Sequence, residues 1–285
     1  MWWYGLFFLP VAVIVWLAYE YLEHHLIQYE TTSVECRKLP ENKALRICLI
    51  SDLHNNQKNL KKMINRIRSF SPDVILLAGD MVNKHKKENR HAIAFFSSLV
   101  ELEVPVYYSE GNHELSLAEH MPDEFKRYLE EIPAPIRFLK NETVTFLQES
   151  EIHVSGLSLP KEYYKKGSLY DKADLLPELS VPEHGIHILM AHNPEYASLY
   201  SKYHADLIVS GHLHGGLLRL PFLGGVVSPR LRLPNGCDAG YIQLSKETGM
   251  FVSRGLGSHT IPLRFFNRAE VNFLVLKGTN EIEME

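Results

Sequence analysis

Hydrophobic and polar positions alternate between strand-like and helix-like periods in the first half of the chain. Apolar runs typical of buried strands occupy residues 45–50, 73–79 and 104–110. The segments 59–70 and 91–102 instead repeat their apolar side chains at helical spacing, with Met63 and Ile67 on one face. This alternation predicts β–α units in which helices cover a sheet.

The second half of the chain is richer in strands. The stretch 136–159 alternates in the way that antiparallel hairpins do. Further apolar runs follow at 185–192, 205–212, 239–244, 250–255 and 271–277. Helical alternation followed by strand-rich sequence predicts an α/β domain with a two-layered sheet core and covering helices.

The N-terminus carries a long apolar run. No charged side chain occurs from Met1 to Tyr19, and about 20 apolar residues suffice to cross a bilayer as a helix. Aromatic side chains cluster towards its ends, as they do at membrane interfaces. We predict a transmembrane anchor over 1–21, a polar, irregular tether over 22–44 and one domain over 45–285. The alternatives are a buried soluble helix and a cleaved signal peptide, which neither a preceding basic residue nor an A-x-A site favours.

Basic residues follow the apolar run and none precedes it: Arg37, Lys38, Lys43 and Arg46. Because cytoplasmic loops are enriched in Lys and Arg, this asymmetry favours a cytoplasmic location for the domain over 45–285. The sequence thus predicts a single-pass protein of the cell membrane.

Composition narrows the functional classes. The chain has 285 residues, of which 22% are charged, and a formal net charge of −4. It lacks the basic surplus typical of nucleic-acid-binding proteins, so we expect no nucleic-acid partner. The three cysteines form no CxxC pair, which argues against a disulfide scaffold or a zinc ribbon. Fifteen histidines stand out, because histidine is the commonest metal ligand.

Polar side chains of similar chemistry follow five of the predicted strands. They are Asp52 and His54, Asp80, Asn112 with His113 and Glu114, His192, and His212 with His214. In α/β sheets, sites form at the carboxyl ends of the strands. One histidine at such a position is usually a hydrogen-bonded core residue, but five strand ends with matching chemistry predict a functional site.

Seven of these residues carry donor atoms that suit divalent metal ions: Asp52, His54, Asp80, Asn112, His192, His212 and His214. Carboxylate, amide and imidazole groups suit Mn²⁺, Fe²⁺ and Zn²⁺, and the lack of a thiolate disfavours structural zinc. Seven ligands exceed what one ion needs, so we expect two ions that share the Asp80 carboxylate. Two ions about 3.5–4 Å apart can hold a hydroxide and clamp a phosphoryl group for in-line displacement.

The order of these motifs, D-x-H, G-D, G-N-H-E, H and G-H-x-H, resembles the calcineurin-like metallophosphoesterase superfamily. The resemblance extends from residue 47 to about 275. The stretches 191–196, 219–225 and 253–271 are similar to the membrane-associated bacterial YkuE/YaeI-type phosphodiesterase branch. The resemblance implies a four-layer αββα sandwich, in which helices flank two mixed sheets, preceded here by an N-terminal transmembrane helix.

The resemblance also implies a role for each ligand. One ion would be held by Asp52, His54, Asp80 and His214, and the other by Asp80, Asn112, His192 and His212. We expect two divalent ions, with Mn²⁺ favoured over Fe²⁺ or Zn²⁺. His113 would stay off the ions, near the leaving-group oxygen, as a general acid or a partner for transition-state charge. Glu114 either accepts a hydrogen bond from a histidine or is a solvated carboxylate.

The implied activity is two-metal hydrolysis of a phosphoric ester, in which a metal-bridging hydroxide attacks phosphorus in line. The predicted substrate is a phosphodiester at the membrane, and the anchor is in keeping with a lipid-linked phosphate. Alternatives are a pyrophosphatase of a lipid-linked nucleotide (UDP-diacylglucosamine type), a broad phosphomonoesterase, and a scaffold that kept the ligands without the chemistry.

Some further features are predicted with alternatives. The apolar stretch 217–227 either contacts the membrane or an acyl chain, or forms a buried strand and turn. The basic side chains of 59–70 either face solvent or contact phosphate or lipid headgroups. His259 is expected at the rim of the pocket. Asn55 and Asn56 replace the glycine that many relatives have nearby, which leaves the substrate preference open.

Overall fold

The computed structural model describes residues 10, 11, 13–16, 18, 19, 21, 22, 26–56, 59–85, 88–147, 150–165, 174–216, 218–220, 224–227, 238–257, 264 and 266–279. Within them, the strands are β1 (Ile27–Cys36), β2 (Ala44–Ile50), β3 (Val74–Ala78), β4 (Val106–Ser109), β5 (Ile136–Leu139), β6 (Glu142–Leu147), β7 (Glu151–Leu157), β8 (Ile186–Ala191), β9 (Leu207–Ser210), β10 (Leu218–Leu220), β11 (Gly224–Val227), β12 (Gly240–Gln243), β13 (Gly249–Val252) and β14 (Ala269–Gly278). The α-helices are α1 (Leu60–Phe70), α2 (Arg90–Val100), α3 (Asn112–His120) and α4 (Pro122–Glu131). Segments of 3₁₀-helix include Lys161–Tyr164 and Pro194–Tyr203.

Two six-stranded mixed sheets form the centre of the domain. The first runs β1-β14-β2-β3-β4-β5, and the second runs β12-β13-β9-β8-β7-β6. Neighbours from β2 to β5 are parallel in the first sheet. In the second sheet the same holds for β7, β8, β9 and β13. Because parallel strands run in the same direction, the carboxyl ends of the central strands lie at one edge of each sheet.

Hydrophobic cores fill the spaces between the layers. The apolar faces of α1 and α2 bury side chains such as Ile67 and Phe95 against the first sheet. The two sheets meet through side chains such as Leu76 and Ile188, and Tyr200 packs in a further core on the outer face of the second sheet. This layering confirms the prediction of two mixed sheets flanked by helices.

The cover of the second sheet is not a regular α-helix. Pro194–Tyr203 is a 3₁₀ segment with non-helical dihedral angles at Tyr196 (φ −106°, ψ 20°). Its start is fixed by Asn193, whose Oδ1 accepts a hydrogen bond from Glu195 N at 3.1 Å. The segment therefore brings large tyrosine side chains onto the sheet with a short length of chain.

The prediction of an irregular tether over 22–44 is wrong for residues 27–36. These residues form β1, which pairs in parallel with β14 at the edge of the first sheet. Most β1 side chains are exposed or half-buried, and Val34 and Cys36 are the buried ones. An edge strand with so few buried side chains lacks the apolar run that reveals a central strand.

The expected hairpins over 136–159 are only partly present. β6 and β7 form an antiparallel hairpin, but β5 pairs in parallel with β4 in the first sheet. The chain thus crosses from one sheet to the other between Leu139 and Glu142. The alternating pattern identified the strands, but it carries no information about which neighbour each strand pairs with.

The described residues between 10 and 22 are helical and carry exposed apolar side chains, among them Ile14 (64%) and Val15 (62%). Tyr19 joins this helix to the domain, because its hydroxyl accepts a hydrogen bond from Phe266 N at 2.8 Å. Among the described residues, no helix is both long enough and apolar enough to span a membrane.

Candidate metal centre

The carboxyl ends of five strands meet at one cavity. Asp52 and His54 follow β2, Asp80 follows β3, Asn112 and His113 follow β4, His192 follows β8, and His212 and His214 follow β9. His54 Nε2 lies 3.1 Å from His214 Nε2, although 160 residues separate the two in the chain. The two sheets thus bring together the side chains that the strand ends predicted.

Among the described residues, the donor atoms form three overlapping groups within which all atoms lie within 4.8 Å of one another. The groups are Asp52, His54 and His214; His54, Asp80 and His113; and Asp80, His192 and His212. Asp80 belongs to two of them, so its carboxylate lies between histidines from both sheets.

Two carboxylates lie at the centre of these groups. Asp80 Oδ2 is 3.4 Å from His192 Nε2, and Asp52 Oδ1 is 3.4 Å from His214 Nε2. Asp52 also accepts hydrogen bonds from His212 N at 3.1 and 3.2 Å. Each carboxylate therefore faces histidines of the opposite sheet.

Strained backbone places these side chains. Asp52, His54, Asp80, His212 and His214 have φ between 50° and 71°, a region that non-glycine residues seldom adopt and that clusters at functional sites. Neighbouring glycines leave the room that the carboxylates need. A Cβ at position 111 would lie 2.3 Å from Asp80 Oδ1, and one at position 211 would lie 2.3 Å from Asp52 Oδ2.

The two carboxylates have opposite electrostatic environments. Burial raises the pKa of Asp52 to about 6. Burial also opposes ionisation of Asp80, but the side chains of His113, His192 and His54 hold its pKa well below the usual range. These neighbours favour the ionised form of the Asp80 carboxyl.

The ring of His192 is oriented by the main chain. Its Nδ1 donates a hydrogen bond to the carbonyl oxygen of Ala78 at 2.7 Å, which turns Nε2 towards the carboxylates. Although burial disfavours the imidazolium, the Asp80 and Asp52 carboxylates raise the pKa of His192 to about 10. The surroundings of Nε2 therefore favour positive charge strongly.

Two buried atoms test whether metal ions fit this cluster. Nε2 of His192 and Oδ1 of Asn112 have no hydrogen-bond partner among the described residues. Buried polar atoms in proteins normally have partners. Imidazole nitrogen and amide oxygen are both ligands that borderline divalent ions accept, so these residues fit such ions.

His113 lies beside the carboxylates at the start of α3. Its backbone N–H donates to Asp80 Oδ1 at 2.7 Å, and its Nδ1 accepts a hydrogen bond from Lys84 N at 3.3 Å. In a neutral ring, an Nδ1 that accepts leaves the proton on Nε2. Nε2 lies 3.9 Å from Asp80 Oδ2, and the side chain lines the cavity.

Neither alternative for Glu114 is correct, because its carboxylate is buried and binds main chain. It accepts hydrogen bonds at 2.7–3.2 Å from the backbone N–H groups of Asp80, Met81, Val82 and Gly111 and from the hydroxyl of Tyr108. Burial and then the Asp80 charge raise the pKa of Glu114 to about 7. Glu114 is therefore a positioning residue for the loop that carries Asp80.

Asn55 has a structural explanation. Its Oδ1 accepts hydrogen bonds from His91 N (2.9 Å) and Ala92 N (3.1 Å) in the first turn of α2. Its Nδ2 donates to Glu88 O at 3.2 Å. This asparagine satisfies donors at a helix start, so the first motif also anchors α2.

A cavity of about 480 Å³ opens beside the cluster. Residues that line it include Asp80, Lys84, Asn112, His113, Leu115, Lys161, Tyr164, Lys165, His212 and His214. The lysines and Tyr164 were missed by sequence reasoning, because none of them follows a predicted strand. Lysines near the ligands make the cavity suitable for an anion.

Other sequence predictions have mixed outcomes. Within 217–227, β10 and β11 form an antiparallel hairpin, which Asp238 holds by accepting a hydrogen bond from Gly225 N at 2.9 Å. This favours the strand-and-turn alternative for the described part of the stretch. His259 lies outside the described residues.

Residues 45–216 match the family of calcineurin-like phosphoesterases. The chain belongs to this family. It is therefore a phosphoester hydrolase, and its family uses divalent metal ions.

Relatives match over nearly the whole chain. An uncharacterised metallophosphoesterase of Campylobacter jejuni is 28% identical over 279 residues, which cover 94% of this chain and 68% of that protein. The uncharacterised metallophosphoesterase YkuE of Bacillus subtilis is 28% identical over 276 residues, covering 91% and 89%. The UDP-2,3-diacylglucosamine pyrophosphatase LpxG of Chlamydia muridarum is 25% identical over 321 residues, covering 91% and 92%. The similarity to YkuE confirms the predicted YkuE-type branch of the superfamily.

Proposed function

We propose that this hydrolase is a two-metal phosphodiesterase that acts at the membrane and uses Mn²⁺. The observation that carries the proposal is the membership of Asp80 in two groups of donor atoms, one with His54 and His113 and one with His192 and His212. A carboxylate shared in this way is what two neighbouring ions require.

The proposed ligands are Asp52, His54, Asp80 and His214 for one ion, and Asp80, Asn112, His192 and His212 for the other. Their support is the partnerless Nε2 of His192 and Oδ1 of Asn112. Bound divalent ions would supply Lewis acidity, which neutralises phosphoryl charge and lowers the pKa of a water molecule. A cation near His192 would also take the place of the proton that Asp80 and Asp52 favour there.

We assign to His113 the transfer of a proton to the leaving-group oxygen. Its Nδ1 accepts from Lys84 N, so Nε2 carries the proton and can donate it. We expect His113→Ala to lower kcat about 1,000-fold for an alkyl leaving group. The loss should be smaller for p-nitrophenolate, which departs without a proton.

The His113 assignment has a specific control. The metal content of His113→Ala, measured by elemental analysis, should equal that of the unaltered protein. Equal losses of kcat for the alkyl and p-nitrophenyl esters would contradict a proton-transfer role.

Membrane action is supported by the N-terminal helix and the domain contact that it makes. Ile14 and Val15 are exposed apolar side chains on this helix, and Tyr19 holds its end against Phe266. Burying exposed apolar side chains in lipid is favourable. We therefore propose residues 1–21 as an anchor that keeps the domain beside its substrate.

A lipid-linked pyrophosphate is the second candidate substrate. Its support is the similarity to LpxG, whose name gives UDP-2,3-diacylglucosamine as the substrate of that protein. Lys84 of the cavity would suit the extra negative charge of a diphosphate, whereas Lys161 and Lys165 are paired with Glu119 and Glu162.

One substrate panel tests these proposals. Protein reconstituted with Mn²⁺ is assayed with bis-p-nitrophenyl phosphate, p-nitrophenyl phosphate, a phospholipid diester and UDP-2,3-diacylglucosamine. We expect kcat/KM for the diester to exceed that for the monoester. Faster monoester hydrolysis would overturn the phosphodiesterase assignment, and turnover of soluble diesters alone would overturn the lipid-linked one.

A further inference from the structure

Tyr164 is an aromatic wall of the cavity that no motif includes. It ends the 3₁₀ segment Lys161–Tyr164. Its ring meets that of His212 edge-on, with centroids 5.3 Å apart and an interplanar angle of 67°. The centroid of His192 lies 6.2 Å away. Tyr164 therefore stands beside the two histidines that the second sheet gives to one proposed ion.

The backbone of this segment is tied to the metal centre. Asn193, which directly follows His192, donates from Nδ2 to the carbonyl oxygen of Tyr163 at 3.1 Å. The segment that positions His192 thus also holds the backbone next to Tyr164.

The Tyr164 hydroxyl is buried and has no hydrogen-bond partner among the described residues. Other buried tyrosines near the second sheet differ in this respect. The Tyr200 hydroxyl donates to Asn193 O at 2.5 Å, and that of Tyr203 donates to Pro177 O at 2.7 Å. A buried hydroxyl without a hydrogen-bond partner lowers the stability of the fold. Its presence beside the cavity therefore points to a ligand that accepts the missing hydrogen bond.

A phosphate group matches what this hydroxyl lacks. A phenol is protonated at neutral pH and donates one hydrogen bond. The non-bridging oxygens of a phosphoryl group are strong acceptors, and they carry the negative charge of the transition state. A donor that the fold holds beside the phosphoryl group stabilises that charge.

We propose that the Tyr164 hydroxyl donates a hydrogen bond to a non-bridging oxygen of the scissile phosphate, on the side of the site formed by His192 and His212. This role rests on the proposed function, because it requires the phosphoryl group to bind at the cluster. It makes Tyr164 a catalytic residue in addition to His113.

The test is Tyr164→Phe, which keeps the ring against His212 and removes only the hydroxyl. We expect kcat to fall about 100-fold and the affinity for inorganic phosphate, measured by calorimetry with Mn²⁺ present, to fall about 10-fold. Metal content should be unchanged. Since the free protein loses a hydroxyl without a partner, its unfolding midpoint in urea should stay the same or rise.

Tyr203→Phe is the matched control. It removes a buried hydroxyl that has a partner, so it should lower the unfolding midpoint and leave kcat and phosphate affinity within two-fold. Loss of metal from Tyr164→Phe would overturn the proposal, since the residue would then serve only to position His212. Unchanged kcat and phosphate affinity would overturn it as well.

The readouts separate this proposal from the proposed function. If the unaltered protein hydrolyses monoesters faster than diesters, the phosphodiesterase assignment fails, but the effect of Tyr164→Phe on kcat and on phosphate binding is still measured. If the unaltered protein binds no phosphate with Mn²⁺ present, both fail together.

Discussion

His187 and His192 lie near opposite ends of strand β8, and both are buried, with 1% and 0% of their surface exposed. Burial lowers the pKa of His187 to about 4. Burial acts in the same direction on His192, but Asp80 and Asp52 raise its pKa to about 10. One strand thus carries a neutral core histidine at one end and a histidine in a strongly negative environment at the other.

The pKa values of the two histidines differ because the neighbouring strands place different side chains beside them. At the amino end, Nε2 of His187 shares a hydrogen bond of 2.7 Å with Ser155 Oγ. At the carboxyl end, β2 and β3 of the other sheet place Asp52 and Asp80 against the ring of His192. The local sequence around a histidine in an apolar strand therefore does not identify it as a metal ligand. Such a histidine becomes a candidate ligand through the carboxylates that the fold brings to it.

The largest expected effect comes from removing the shared charge at the carboxyl end. Asp80→Asn should reduce the binding of both ions, because Asp80 belongs to two donor groups, and should lower kcat at least about 1,000-fold. Elemental analysis and phosphodiester turnover measure this. Asp206→Asn, at the amino end of the second sheet, should keep both ions. Two bound ions in Asp80→Asn would contradict the bridging assignment.

A smaller effect is expected from variants that remove one ligand group each. His54→Ala and His192→Ala should each retain about one ion per chain, because their imidazoles belong to different groups with Asp80. His187→Ala, at the amino end of β8 and five residues before His192, should retain two ions. If His54→Ala and His192→Ala each lost both ions, the division into two sites would be wrong.

Removing the residue that positions the Asp80 loop should lower kcat less than removing a metal ligand does. Glu114→Gln replaces a carboxylate to which four backbone N–H groups donate with an amide that accepts through one oxygen. We expect kcat to fall about 10- to 100-fold and the free energy of unfolding to fall by about 2 kcal/mol. Glu130→Gln, at an exposed position of α4, should change neither by a measurable amount. A fully active Glu114→Gln would exclude the positioning role.

The smallest effect on activity is expected at the amino end of β8. Because the pKa of His187 is lowered to about 4 in the fold but is about 6.5 in the unfolded chain, the unfolded state binds the extra proton. The associated stability is complete above pH 6.5 and is lost as the pH falls towards 4. Relative to His187→Gln, the unaltered protein should lose about 3 kcal/mol over this range.

Urea unfolding at pH 7 and pH 4.5 measures this loss. The carboxylate beside His187 is that of Asp206, which accepts a hydrogen bond from His187 N at 2.8 Å, and not Asp52 or Asp80, so His187→Gln should leave kcat at pH 7 unchanged. Parallel stability curves for the two proteins would show that burial does not keep His187 neutral.

The spacing of apolar residues predicted the helices and strands that bury their own side chains. The apolar spacing of α1 buries Met63, Ile64 and Ile67 as expected, and β3 is buried along its whole length. β1 was missed because its pairing with β14 satisfies the backbone of a mostly polar segment. β5 was assigned to a hairpin because a repeat of two residues does not specify the partner strand.

The sequence by itself determined that Asp, Asn and His side chains follow five strands, and hence the chemistry of the site and its family. Only the tertiary structure decided that Asp80 lies between histidines of both sheets, that Glu114 binds main chain, and that Tyr164 stands beside His212. The reason is physical. Residue types and spacing along the chain specify which donor atoms are available, whereas distances between them arise from the pairing and packing of two sheets whose contributing strands are more than 100 residues apart.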